Sequence, residues 1–232
     1  MIGFSTIKQR AKNALGANYW LLVGLLLLAG VLGATAGSTG LSFSFSSSGD
    51  ESKYSEELNA FITTAAIAGG CCGLLYTVFA GNVAKVGSSR ICLSAYRGES
   101  FGIADLFHGF RDGRYWRSVG AMALSTLFIV LGCMAFIIPG IIIAMGLFPL
   151  PYILAENDEV SGMDAIRMAW AVSKGRKGSI FFFELSFLGW AILNALTLGV
   201  LGVFYLTPYM EVSLAGYYSE MTSPEVLEAS AL

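Results

Sequence analysis

Residues 118–155 read SVGAMALSTLFIVLGCMAFIIPGIIIAMGLFPLPYILA. No Asp, Glu, Lys or Arg occurs in these 38 residues. A helix that crosses a bilayer needs about 20 apolar residues, so the stretch is long enough for two spans. Pro139 and Gly140 lie near its middle and favour a turn, because proline disfavours helix at the preceding residue and glycine tolerates bent backbone. The stretch therefore predicts a helical hairpin that turns at Pro139 and Gly140.

The overall composition indicates the same environment. Of the 232 residues, 55% are hydrophobic and 13% are charged, and the mean hydropathy is +0.67. Soluble domains carry about 25% charged residues, so the composition is typical of a helical membrane protein. The sequence has no basic face interleaved with exposed aromatic residues, and nucleic acid is therefore not an expected partner.

The N-terminal region predicts a surface helix followed by a span. Residues 1–18 place Phe4, Ile7 and Ala11 on one helical face flanked by basic residues, which is typical of a helix on the cytoplasmic membrane surface. Residues 19–36 form the first apolar run. A cleaved signal peptide is the competing interpretation, but the run is longer than the usual hydrophobic region of such a peptide.

Further apolar runs extend the pattern to six predicted spans. The second span is predicted over residues 59–84, and the last two lie between residues 179 and 218 with a break near residues 197–202. We predict an all-α polytopic membrane protein, one domain over residues 19–220 made of three hairpins, with cytoplasmic amphipathic helices. An external Ser/Gly-rich loop is predicted at 37–58, with a short edge strand there as an alternative. The other predicted parts are cytoplasmic segments at 85–115 and 157–178 and a flexible cytoplasmic tail at 221–232.

The basic residues predict the orientation. With six spans, 13 of the 14 Lys and Arg residues fall in segments on one side of the membrane, and only Lys53 falls on the other. Cytoplasmic loops carry an excess of Lys and Arg, so both termini are predicted in the cytoplasm. Similar basic junctions at residues 16–20, 113–116 and 175–178 precede the three hairpins and suggest parallel repeats.

Polar residues inside the predicted spans are the candidate functional positions, because ionisable groups are costly within a bilayer. Glu184 lies near the start of the fifth span and either serves a function or pairs with Arg176 or Lys177. Glu211 follows Pro208, which frees a backbone carbonyl and can kink the last span. Glu211 either lines a polar cleft or makes a hydrogen bond that fixes helix packing. The other predicted members of that cleft are Asn194, Thr197, Tyr205, Tyr209 and Ser213.

The sequence lacks the common catalytic motifs. It has no nucleophile elbow, phosphate-binding glycine loop or His-Glu metal motif, and its four cysteines lack metal-ligand spacing. His108 is the single histidine and is interpreted as an interfacial residue of an amphipathic segment at 101–110. We therefore predict no enzyme, no cofactor and no metal site.

The C-terminal half resembles a known family. Its motifs, in order, are IPGI at 138–141, YILAEN at 152–157, KGRK at 174–177, LSFLGW at 185–190, TLG at 197–199, and Pro208-Tyr209 followed by Tyr217-Tyr218. This order resembles the integral-membrane domain-of-unknown-function family numbered nine-seven-five, found mostly in Gram-positive bacteria. The resemblance implies a membrane location and a fold, and it transfers no catalytic residue because the family has no established activity.

Two functions fit these features. The first is a non-enzymatic scaffold or accessory protein of the bacterial cytoplasmic membrane, acting through the lipid bilayer and through contacts with a membrane protein or a second copy. The alternative is a transporter or permease for a small or lipid-like solute, with a cleft near Pro139 or Pro208. A water-accessible cavity that reaches Glu211 would favour transport, and a solid lipid-facing bundle would favour the scaffold.

Overall fold

The computed structural model describes residues 3–17, 19–32, 73, 76–110, 113–197 and 199–223, and every regular element within them is helical. Eleven α-helices are assigned in these ranges. Two π-helical turns, Thr77–Gly81 and Gly202–Leu206, precede α3 and α11, and a 3-10 turn covers His108–Phe110. The α-helices are α1 (Phe4–Ala17), α2 (Tyr19–Val31), α3 (Asn82–Arg97), α4 (Ile103–Leu106), α5 (Tyr115–Ala135), α6 (Ile137–Leu147), α7 (Leu150–Glu156), α8 (Gly162–Ser173), α9 (Lys177–Leu185), α10 (Leu188–Leu196) and α11 (Thr207–Met221).

Three stretches of the described residues are long and apolar enough to cross a membrane. They are Tyr115–Ala135, Ile137–Glu156 and Lys177–Leu196. Helices α1 and α2 supply a fourth if the 99° bend between them is a break within one span. The all-helical class is thus confirmed for the described residues, with three candidate membrane-spanning stretches, whereas the six spans and three hairpins stay predictions. The predicted external loop at 37–58 and most of the predicted second span lie outside the described residues.

The charge-free stretch turns at a different residue from the one predicted. Helices α5 and α6 pack against each other and are joined by Phe136, whose backbone is extended at φ −161° and ψ 148°. Pro139 and Gly140 instead lie in the first turn of α6. Proline is tolerated there because the first amide groups of a helix have no intrahelical acceptor. The predicted turn at Pro139 and Gly140 is therefore corrected to Phe136.

Gly140 serves close packing, because it lies where α6 approaches α5. A Cβ atom at this position would overlap Cys133 Sγ and would lie 2.8 Å from the Cys133 backbone nitrogen. Gly132 of α5 faces the same contact, since a Cβ there would lie 3.1 Å from Gly140 Cα. Small residues at helix crossings let two membrane helices approach closely.

Helix α3 lies at the centre of the described bundle. It contacts α11 and α7, and further contacts join it to α1, α2 and α5. Val83, Ala84, Ile91 and Cys92 on this helix are fully buried. The helix runs on to Arg97, so much of the segment predicted to lie beyond the second span belongs to this packed helix.

Local sequence features explain the start of α8 and the end of α10. Ser161 caps α8: its Oγ accepts a hydrogen bond from the Asp164 backbone N–H at 3.2 Å and donates to Asp164 Oδ2 at 2.7 Å. The break predicted near residues 197–202 separates α10 from the turn that leads into α11. Gly199 lies in this break with φ +84°, a left-handed conformation that favours glycine.

Candidate functional site

A buried ion pair joins α3 to α11. Lys85 Nζ donates to the two carboxylate oxygens of Glu211 at 2.6 Å and 2.8 Å. The Glu211 side chain is 2% exposed and that of Lys85 is 23% exposed. A buried carboxylate needs such a partner, because desolvation of an unpaired charge is costly. The sequence predicted Glu211 as a candidate but placed Lys85 in a cytoplasmic segment, so the pairing itself was missed.

Both members of the pair follow irregular turns. The π-helical turn Thr77–Gly81 leads into α3 shortly before Lys85, and the turn Gly202–Leu206 leads into α11 shortly before Glu211. A π-helical turn adds a residue to the helical repeat and so rotates the face that the following side chains present. Such turns are frequent at functional sites.

Pro208 contributes to the anchoring of this region. Proline cannot donate a hydrogen bond to the carbonyl four residues earlier, which here belongs to Phe204. That carbonyl accepts a hydrogen bond from the Tyr19 hydroxyl at 2.6 Å. A residue of α2 thus supplies a donor to the carbonyl that Pro208 cannot bond.

Glu184 lies near the ion pair without joining it. It lies on α9 within electrostatic range of Lys85 and makes no direct ion pair with a described residue. The two partners suggested by the sequence are engaged elsewhere: Arg176 donates to a backbone carbonyl of α11, and Lys177 lies over an aromatic ring. Glu184 is therefore a second acidic group within electrostatic range of the same cation.

The other residues of the predicted polar cleft make contacts away from the Lys85–Glu211 ion pair. Asn194 Oδ1 accepts a hydrogen bond from the Gly202 backbone N–H at 2.6 Å and so closes the break between α10 and α11. Tyr209 stacks on Tyr205 with ring centroids 5.8 Å apart. Ser213 Oγ donates to the Tyr209 carbonyl at 2.7 Å. These contacts stabilise local backbone and aromatic packing and do not bring the side chains onto the ion pair.

A second charged cluster surrounds His108. His108 Nε2 lies 3.0 Å from Arg90 Nη1 and 3.2 Å from Arg114 Nη1. Guanidinium groups only donate hydrogen bonds, so these two contacts favour a neutral imidazole with Nε2 as the acceptor, and Asp158 Oδ1 lies 3.5 Å from the same nitrogen. Asp158 pairs with Arg114 at 2.7 Å, and Asp105 pairs with Arg90 at 3.3 Å. His108 is 6% exposed and is therefore buried within the described bundle, while its predicted position at the membrane interface stays a prediction.

Arg117 caps the C-terminal end of α7. Its Nη1 donates to the carbonyls of Asn157 at 2.7 Å and Val160 at 2.8 Å, and its Nη2 donates to that of Leu154 at 3.1 Å. The last carbonyls of a helix lack intrahelical donors, and a cation there also complements the helix dipole. From the sequence, Arg117 contributed only to the prediction of membrane orientation.

The environment of His108 predicts a pH dependence of stability. Burial, followed by the nearby Arg90 guanidinium, lowers the pKa of His108 from its usual 6.5, while Asp158 opposes the shift. The folded state then binds fewer protons than the unfolded state below about pH 6.5, so stability falls as the pH drops through that value. We expect the melting temperature of the wild type to fall more steeply than that of His108→Gln over this interval. Parallel profiles for the two proteins would contradict the assignment.

The sequence comparisons agree with the resemblance of the C-terminal half. The sequence model of DUF975, described as a protein of unknown function, matches residues 118–225. No curated protein and no solved structure matches the chain. The matched segment contains α5 to α11, and with them Glu184, Asn194, Tyr209 and Glu211, whereas Lys85 and His108 lie before it.

Proposed function

We propose that this chain, which belongs to the DUF975 family over residues 118–225, is a non-enzymatic scaffold or accessory protein of the bacterial cytoplasmic membrane. We further propose six spans in three hairpins with both termini in the cytoplasm, since this arrangement puts 13 of the 14 Lys and Arg residues on one side. The bilayer is its proposed environment, and another membrane protein or a second copy is its proposed partner.

The buried ion pair is the observation that supports a scaffold. A transporter must expose its coupling groups to water on alternate sides of the membrane. Here the Glu211 side chain is 2% exposed and both of its oxygens bind Lys85. The long apolar helices present a hydrocarbon surface outward, as expected where lipid surrounds them. Exposed residues on that surface include Leu127, Leu131, Ile138, Ile142, Phe182 and Ile192.

A transporter is the second candidate, and the π-helical turns favour it. Interrupted helices next to charged groups are typical of substrate and ion sites in transporters. The two turns precede Lys85 and Glu211, and Glu184 offers a second carboxylate near the same cation. In such a protein the pair would open to water during the transport cycle, and the structure would represent an occluded state.

Cys92 distinguishes the two candidates because it is a natural reporter beside the pair. Its side chain is fully buried and lies within electrostatic range of both Lys85 and Glu211. The experiment keeps Cys92, replaces the other three cysteines with serine, and treats the protein in sealed vesicles with a membrane-impermeant thiol reagent from each side. For a scaffold we expect Cys92 to stay unmodified until the protein is denatured.

The matched control carries Glu99→Cys, an exposed position after α3, in a background without the four natural cysteines. It should react readily from one side only. Modification of Cys92 from either side in the folded protein would reject the scaffold and support a transporter. The reaction after denaturation shows that the Cys92 thiol itself is intact.

A further inference from the structure

An apolar groove opens between the amphipathic helix α8 and the helices α5 and α6. Its volume is about 570 Å³, which lies within the range of roughly 300–1,000 Å³ common for ligand sites. Aromatic and aliphatic side chains from all three helices form its walls. They are Phe128 of α5, Ile143 and Leu147 of α6, and Ile166, Trp170 and Ala171 of α8.

Basic side chains complete the same groove. Arg167 and Lys174 line it together with the apolar residues, and both are exposed. Arg167 also lies 3.4 Å from Asp164, but both side chains of that ion pair are exposed, and exposed ion pairs contribute little to stability. The groove therefore combines hydrocarbon walls with two cations that are accessible to a ligand.

Trp170 is held firmly within the groove. A Cβ atom on Gly146 would lie 2.5 Å from its Cζ3 atom, so the indole ring packs directly on the α6 backbone. Lys177 Nζ lies 3.4 Å from the ring centroid, a cation–π contact that adds a third positive charge nearby. Tryptophan is enriched at membrane interfaces, where one end of the side chain is apolar and the other polar.

Helix α8 begins at the basic end of α5. Gly162, the first residue of α8, lies against that end, since a Cβ there would be 3.2 Å from the Arg117 carbonyl oxygen. Helix α8 then runs along α5 and α6. Anionic lipid head groups are attracted to Lys and Arg side chains, and Arg167 and Lys174 supply such side chains in the groove.

We propose that this groove binds an anionic phospholipid. Its phosphate lies between Arg167 and Lys174, and one acyl chain lies along the apolar walls formed by α5, α6 and α8. A zwitterionic lipid carries its own cation beside the phosphate, so the two basic residues favour a lipid with net negative charge. This site requires only that the chain lies in a membrane, and it does not depend on the choice between scaffold and transporter.

Quenching of Trp170 fluorescence by brominated lipids tests the proposal. The other three tryptophans are replaced with phenylalanine, and the protein is reconstituted in phosphatidylcholine vesicles. A minor fraction of the lipid is either brominated phosphatidylglycerol or brominated phosphatidylcholine. We expect the brominated phosphatidylglycerol to quench Trp170 more strongly at equal concentration, and we expect added salt to weaken this preference.

Arg167→Gln combined with Lys174→Gln should remove the preference. Each basic residue near an anionic surface contributes a factor of about five, so the double substitution lowers the preference by up to about 30-fold. Arg10→Gln with Lys12→Gln makes the same change of net charge on α1 and should leave the preference unchanged.

Equal quenching by the two lipids in the wild-type groove would overturn the proposal. So would a preference that survives in the Arg167 and Lys174 double variant, or one that the α1 double variant abolishes equally. If neither brominated lipid quenches Trp170, the groove is covered by protein, and the anionic-lipid site is rejected. The salt dependence of Trp170 quenching in the wild-type protein tests the proposal even if the Arg167 and Lys174 double variant fails to fold.

Discussion

Lys85→Met should lower the free energy of unfolding by about 3–5 kcal/mol, the usual cost when one partner of a buried ion pair is removed. The reason is the carboxylate left behind, because Glu211 is 2% exposed and its hydrogen bonds in the folded protein come from Lys85. Denaturant unfolding in detergent, followed by tryptophan fluorescence, measures the change. Lys12→Met removes an exposed lysine from α1 and should alter stability little. A Lys85→Met protein as stable as the Lys12→Met control would show that the pair does not stabilise the bundle.

Gly140→Val should destabilise the contact between α5 and α6 by about 1–3 kcal/mol, the range typical of overpacking in a tightly packed site. A Cβ at Gly140 meets both the side chain and the backbone of Cys133, so the two helices must separate to admit valine. The matched control is Gly120→Val on α5, where an added Cβ would meet no side chain and no neighbouring helix within 4 Å among the described residues. Thermal unfolding in detergent compares the two variants. An equal effect of both substitutions would contradict the close crossing.

Local patterns in the sequence predicted the elements that depend on nearby residues. The length of the charge-free stretch predicted two apolar helices, because each helix that crosses a bilayer needs a minimum number of apolar residues. The start of α8 is also readable from the local sequence, since the cap formed by Ser161 and Asp164 requires only residues three positions apart. The break before α11 followed from residues 197–202, where glycine adopts a left-handed conformation.

The turn after α5 could not be predicted so precisely. Proline and glycine both mark interruptions of a helix, but proline is equally suited to the first turn of a new helix. Phe136, with no special turn propensity, adopts the extended conformation instead. Here the close approach of Gly140 to Cys133 accounts for the glycine, and such a contact between helices is invisible in the local sequence.

The candidate site was predicted only in part for a similar reason. Glu211 was recognisable because a carboxylate within an apolar run is unusual. Its partner Lys85 lies just past the end of another apolar run, 126 residues away in sequence, and the positive-inside rule assigns such a residue to orientation alone. The burial of His108 was likewise not predicted, because it depends on Arg90 and Arg114 from two other segments.

The most direct test of the ion pair that joins α3 to α11 is a double-mutant cycle of Lys85→Met and Glu211→Leu. Each single variant leaves one charge without its partner, whereas the double variant removes both charges and keeps apolar volume at both positions. We expect the double variant to lose about 1–3 kcal/mol less than the sum of the two single losses, which is the coupling free energy of the pair. Losses that simply add, with a coupling energy near zero, would contradict a direct interaction between Lys85 and Glu211.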